Sequence, residues 1–306
     1  MIQWFPGHMY KASKEYRKIL PEVDLVIEVL DARLPFSSSN PMLQHLNRDK
    51  PVVKILNKSD MAEPDELARW QTWFESSNAV RTLACNPDNH AIQQLPALCR
   101  QLVPIRPNRS SQIVAIIGGI PNVGKSSLIN KLNDRPVAKT GNEAAVTRFQ
   151  QQINVSNELM LIDTPGMLWG NIDNENSGYR LAATGAIRDT AIDIQDVAFF
   201  VAEYMLKYYP QRLQIRYQLE AIPETEFDLM ERIARKRGCL VTGGHVDLEK
   251  VSRLLIAEFR SGELGKVCLE TSEMMQIELT QLEVLRAEKA EKKALRKLDR
   301  KRKKGK

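Results

Sequence analysis

The chain has no C-x-x-C pair, no apolar run long enough to cross a bilayer, no leader-like apolar stretch in its first eighteen residues and little charge excess over most of its length. Its four cysteines, Cys85, Cys99, Cys239 and Cys268, are scattered, which argues against a zinc cluster or a disulfide framework and leaves reduced, mostly buried thiols. Apolar runs such as DLVIEVLD and QIVAIIGG stop after roughly eight residues, where a membrane span needs about 20. The opening MIQWFPGHMYKASKEYRK lacks the apolar stretch and cleavage site of a signal peptide. A cytoplasmic protein without membrane contact is expected. Aromatics do not interleave with the basic runs, so base stacking of the RNA-reading kind is not indicated.

What is present divides the chain. Of the net +6, residues 286–306 carry twelve Lys or Arg against three acids, a balance of +9, so the preceding 285 residues sum to −3. Basic character thus belongs to a tail, which suits nucleic acid or another acidic surface; the plainer alternative is a solvated helix end. The 306 residues, 43% hydrophobic and 27% charged, suffice for two ordinary folded domains. Through residue 166, β-branched runs at 24–31, 51–57, 79–85, 112–118 and 159–164 alternate with helical patterns near 10–20, 65–76, 90–103 and 125–133. That alternation predicts an α/β fold with a parallel-rich sheet covered on both faces. After Gly178 the period becomes helical, as in Val197, Phe200, Val201, Tyr204 and Met205, predicting a smaller all-helical C-terminal domain. The expected division is 1–177, 178–280 and a basic tail at 281–306.

Three motifs carry chemistry. GIPNVGKS at 119–126 fits G-x-x-x-x-G-K-[ST] between a strand and a helix, the setting in which that pattern is specific for phosphate. Asn122, Val123, Gly124, Lys125, Ser126 and Ser127 form the expected phosphate-binding set. Lys125 supplies a point charge and Ser126 a hydroxyl for Mg²⁺. DTPG at 163–166 follows another apolar strand, where Asp163 suits a direct or outer-shell Mg²⁺ contact and the Gly166 N–H suits a γ-phosphate. Between them Thr147 offers a hydroxyl that can close over the metal, or is an ordinary loop threonine. NKSD at 57–60 ends a strand, where open α/β sheets bind ligands. Asp60 can accept from two adjacent guanine donors that adenine does not present, with Asn57 and Lys58 framing the ring. At about 1.5–3 kcal/mol per charge-assisted bond, two such bonds favour GTP over ATP by roughly 10² to 10⁴. An ATP-dependent kinase or ATPase on the same sheet is the reading this motif disfavours.

The guanine reader precedes the phosphate loop, the reverse of the order in most GTPases. LACN at 83–86 follows as a second base-contact loop, and VPIRPNRSSQ at 103–112 would join the old termini of a circularly permuted domain. WFPGHM (4–9), LDARLPFSSSNP (30–41), NKSD, GIPNVGKSS, DTPG and YRLAATGAIRDTAIDIQDVAFF (179–200) together resemble the circularly permuted GTPases of the large-subunit assembly type, over nearly the whole chain except the tail. The resemblance implies GTP hydrolysis with GTP and Mg²⁺. It implies K⁺ held by Asn122, although that residue can also be a loop asparagine tolerating an unusual backbone angle. The implied partners are the maturing large ribosomal subunit, its rRNA and ribosomal proteins, bound by a monomer.

Two departures from the GTPase pattern stand out. Met167 occupies the position after D-x-x-G where many GTPases place a water-orienting Gln; the family attributes that work to the His of PGHM, here His8, whose plain alternative is a surface residue. NEAAVT lies before Thr147 where a Gly- or Pro-containing approach is expected. Because DTPG ends the permuted domain, loss of a γ-phosphate is expected to release residues 167–180 and shift the helical domain. The rival from another class is an RNA-binding scaffold with GTP as a structural ligand.

Overall fold

Among the described residues, the five apolar runs become strands of one six-stranded sheet, ordered β3-β2-β1-β4-β6-β5. A computed structural model describes residues 2–47, 49–103, 112–138 and 151–304, with side chains up to 288. Thr147, the NEAAVT approach to it and residues 104–111 of the expected join lie outside the described residues. The first domain runs α1 (Gly7–Ile19), β1 (Leu25–Asp31), α2 (Pro35–Ser38), α3 (Pro41–Leu46), β2 (Val52–Asn57), α4 (Pro64–Glu75), β3 (Val80–Cys85), α5 (Leu95–Leu102), β4 (Ile113–Gly119), α6 (Lys125–Leu132), β5 (Gln151–Ser156) and β6 (Leu159–Asp163). Helices follow: α7 (Glu175–Ala183), α8 (Ile194–Tyr208), α9 (Pro210–Tyr217), α10 (Glu226–Arg237), α11 (Leu248–Ser261) and α12 (Ser272–Lys304).

Of the strands among the described residues, five are parallel and β5 runs antiparallel, against β6. Counted from β4 around the rotated chain, the spatial order is 2-3-1-4-5-6, so the phosphate-loop strand is central although it comes fourth in sequence. β1 is buried at every residue, as a parallel strand covered on both faces must be. Its alternation sends Leu25, Ile27 and Val29 into one core cluster and Val26 into another with Ala12 and Tyr16 of α1. The first cluster continues into the helical part through Val197, Val201 and Met205 of α8 and Leu255 and Phe259 of α11. Among the described residues, that cluster thus joins the sheet to α8 and α11.

Caps set the helix ends that matter for the site. Asn40 accepts from the Met42 N–H to start α3, and Asp247 accepts from the Lys250 N–H to start α11, each satisfying a donor the helix cannot. α12 passes through residue 281 without interruption, so the expected start of the tail, and the basic excess that begins at 286, fall inside one helix. Among the described residues, no helix is long and apolar enough to cross a membrane.

Candidate functional site

Parallel strands bring their carboxyl ends to one edge of the sheet, and register decides which residues meet there. Asp31 pairs with Asn57 and Asn57 with Cys85, while Val29 pairs with Gly119 and Ile117 with Asp163. Successive strands add outward in opposite directions from β1 and β4, and the crevice at such a switch point is where open α/β sheets take ligands.

Between β4 and α6 the loop turns with φ 58° at Asn122 and 90° at Gly124. A Cβ on Gly124 would stand 2.4 Å from Asn57 Nδ2, so both the backbone and the close approach require glycine. Asn57 Nδ2 donates to the Val123 carbonyl at 2.7 Å, and Lys58 Nζ donates to the Asn122 carbonyl at 3.1 Å. NKSD therefore grips the phosphate loop from residues more than sixty positions away. Asp60 Oδ1 is buried and has no hydrogen-bond partner, a situation that costs about 1–3 kcal/mol or more for a charged group. An orphaned carboxylate oxygen of this kind calls for a hydrogen-bond donor. Asn86, just beyond β3, donates to Ser59 Oγ at 3.4 Å, which sets the LACN loop beside the reader.

On the phosphate side, Lys125 and Asp163 form a buried ion pair. Burial pushes the ammonium below its ordinary range and the carboxyl above its own, and their mutual attraction offsets only part of this. The donor set of a lysine, an aspartate and the half-buried Ser126 suits a phosphate with a hard cation. A Cβ on Gly166 would lie 2.9 Å from Pro121 Cα, so DTPG packs directly on the phosphate loop. The Met167 N–H donates to the Gly119 carbonyl at 3.0 Å, and its carbonyl accepts from Asn40 Nδ2 at 3.0 Å. The Met167 side chain is fully buried with Tyr16, Ile116 and Ile162, turned into the core and away from solvent.

His8 is exposed in the first turn of α1, edge-on to Trp4. Partial burial and then the Arg188 charge hold its imidazole below the ordinary value of 6.5, so the neutral form is favoured near pH 7. The neighbouring Met9 Sδ accepts from the Leu168 N–H at 3.4 Å, and Gln3 exchanges hydrogen bonds with both backbone groups of Ile172. The PGHM segment is thus fastened to the stretch following DTPG.

Helices supply the opposite wall. A cleft of ≈ 1160 Å³ has Lys58, Asn122, Gly124 and Ser127 on one side and Arg188, Arg253 and Arg260 on the other. Asn122 Nδ2 crosses it to the Gly185 carbonyl at 2.7 Å. Sequence reasoning assigned no role to Asp31, Arg33, Gly185 or Arg260. For Asp31 a signal existed, an acid closing an apolar strand just as Asp163 does; the others depend on contacts across the chain.

A family model described as a 50S ribosome-binding GTPase matches residues 113–230. It opens at β4 and leaves NKSD outside, as a rotated chain order requires. Ribosome biogenesis GTPase A of Bacillus cereus is 43% identical over 283 residues, covering 89% of this chain and 95% of that protein. Mitochondrial ribosome-associated GTPase 1 of Mus musculus is 33% identical over 299 residues, covering 88% and 90%. The crystal structure of GNP-bound YlqF from T. maritima superposes with a TM-score of 0.61 at 26% identity, over 85% of this chain and 98% of that one.

Proposed function

This chain belongs to the ribosome biogenesis GTPase A family, and from that premise we propose that its GTP hydrolysis times a late step in maturation of the large ribosomal subunit and its own release. The observation that carries the guanine-nucleotide part is the buried, unpartnered Asp60 Oδ1 beside a reader already clamped to the phosphate loop. Asp60 reads the base, Lys125 and the loop N–H groups bind phosphates, and Ser126, Asp163 and Thr147 hold Mg²⁺. Mg²⁺, when bound, supplies positive charge against the phosphate oxygens. Asn122 holds K⁺ through its side-chain oxygen, which leaves its amide free to keep the Gly185 carbonyl.

With Met167 committed to the core, water must be oriented by another group, and His8 takes that role as a neutral imidazole. Its exposure supports a site completed by a partner: rRNA or a ribosomal protein presses the PGHM turn into place and accelerates slow intrinsic turnover. Because Gln3 ties that segment to Ile172, motion after DTPG carries His8 and the start of α7 together. Exposed Arg232, Arg235 and Lys236 on α10 and the basic tail grip RNA phosphates. The protein acts as a cytoplasmic monomer, a setting in keeping with four buried, unpaired thiols.

The test is GTP turnover in K⁺ buffer with and without purified large subunits. Subunits are expected to raise turnover, and His8→Ala is expected to lose about 10²- to 10³-fold of the stimulated rate at unchanged nucleotide affinity. Tight subunit binding without stimulation would sink the timing role and leave a scaffold in which GTP is structural.

A further inference from the structure

Asp31 and Arg33 lie at the carboxyl end of β1 and just beyond it, and each is only 1% exposed. Arg33 donates from Nε at 2.9 Å and Nη2 at 2.8 Å to the two carboxylate oxygens of Asp31, and from Nη1 at 3.0 Å to the Phe259 carbonyl in the last turn of α11. Its guanidinium also lies over the Phe259 ring, 4.8 Å from the centroid. Its own carbonyl accepts from the Leu269 N–H at 2.8 Å. Lys58 Nζ donates at 2.8 Å to Asp31 Oδ2, the oxygen that also accepts from Arg33 Nη2, and the same ammonium reaches the Asn122 carbonyl. Lys58 has φ 60°, a left-handed backbone that an ordinary side chain adopts only where its surroundings over-determine it.

The connection returns to the same helix by another route. The Asn122 side chain donates to the Gly185 carbonyl, and Arg260, next to Phe259 on α11, donates at 3.0 Å to the carbonyls of both Ala182 and Ala183. One helical turn therefore meets the guanine reader through Arg33 and Asp31, and the phosphate loop through the α7 carbonyls and Gly185.

We infer that Asp31 and Arg33 are positioning residues for Lys58, anchoring the nucleotide-reading loops to the C-terminal turn of α11, so that nucleotide affinity is set jointly by the sheet and the helical domain. Displacing that turn breaks a charge-assisted bond in the chain leading to Lys58, worth about 10- to 100-fold in an equilibrium constant. By linkage, a nucleotide that holds Lys58 in place also holds α11. A docking partner that moves α11 would then alter nucleotide affinity without touching the nucleotide. The inference rests on Lys58 being a nucleotide contact, which one variant below reports separately.

Fluorescent GDP binding and intrinsic GTP turnover are measured on the full chain carrying Lys58→Ala, Arg33→Lys, or both. Lysine cannot reproduce the three-way donation of Arg33. Arg33→Lys is expected to weaken GDP and GTP equally, by roughly tenfold, raising KM while kcat stays within about twofold, because ground-state binding is what is lost. The double variant is expected to bind no more weakly than Lys58→Ala alone, since both act through one ammonium. GDP should slow hydrogen exchange at 258–262 in the native chain and not in Arg33→Lys. Should Arg33→Lys fail to fold, Asp31→Asn carries the same expectations with the side-chain volume kept. Unchanged affinity in Arg33→Lys with a weakened Lys58→Ala, or additive losses in the double variant, overturns the inference alone; unchanged affinity in Lys58→Ala overturns it together with the placement of the base.

Discussion

Two aspartates at the carboxyl edge of one sheet, Asp31 on β1 and Asp163 on β6, are both buried and both face a lysine, yet their charges are settled differently. Burial alone would raise either carboxyl. At Asp31 the Arg33 and Lys58 cations overturn that effect and hold the group well below the carboxylate range, whereas at Asp163 the single Lys125 does not, and the carboxyl stays raised. The Asp31 ion cluster is thus complete within the protein: Asp31 accepts from two cations, and Asn57 and Lys58 already grip the phosphate loop. On the phosphate side burial opposes the charged form of both Lys125 and Asp163, and each has only the other as its ionic partner among the described residues.

Lys125→Ala breaks the phosphate side and carries the largest expected effect. Without that point charge GTP turnover should fall about 10²- to 10³-fold, with nucleotide affinity falling too, while the fold survives because the stranded Asp163 can take up a proton. Single-turnover hydrolysis and thermal melting of the nucleotide-free chain check the two halves of this statement. A loss below about tenfold would show that Lys125 serves packing more than phosphate.

Stability separates the two aspartates in the opposite order. Asp31→Ala strands Arg33 and Lys58 as buried, uncompensated cations, and breaking such a network costs roughly 3–5 kcal/mol. Asp163→Ala strands one lysine whose ammonium is already disfavoured by burial, and about 1–2 kcal/mol is expected. Urea unfolding without nucleotide measures both, and equal losses would erase the distinction between the halves.

Much of this site was readable because its signals are local. GIPNVGKS and NKSD each sit at the end of an apolar strand, and all five apolar runs became strands within a residue or two of their expected limits. β5 escaped because QQINVS is an edge strand in which only Ile153 is buried; a strand with one covered residue has no apolar run to recognise. Arg33 escaped because its partner Phe259 is 226 positions away, a pairing that no spacing rule encodes. Met167 was legible as a residue unable to orient water, but its place in the core with Tyr16 needed the packing of α1 on the sheet. The charge change at 286 was real in the sequence, yet the Glu, Lys, Arg and Ala of that stretch favour helix, and α12 continues through it.

The smallest expected effect sharpens the comparison through pH. Asp31 has a folded value below its ordinary 3.8, so between the two the unfolded chain binds more protons. Its contribution is complete above that window and is lost as pH falls through it, on the order of 2 kcal/mol. Glu270 is buried as fully, but its donors are mainly the Phe36 and Ser37 N–H groups and the Ser37 hydroxyl, with Arg180 at 3.7 Å. Burial raises its carboxyl above the ordinary 4.5, the folded state then holds the extra proton, and stability falls as pH rises from 4.5 towards the folded value. Urea midpoints from about pH 3 to about pH 7 should show a flattened acid limb for Asp31→Asn and a relieved loss above 4.5 for Glu270→Gln. An acid limb unchanged by Asp31→Asn would mean that Arg33 and Lys58 do not hold that carboxylate ionised, and the guanine side would then be as dependent on its ligand as the phosphate side.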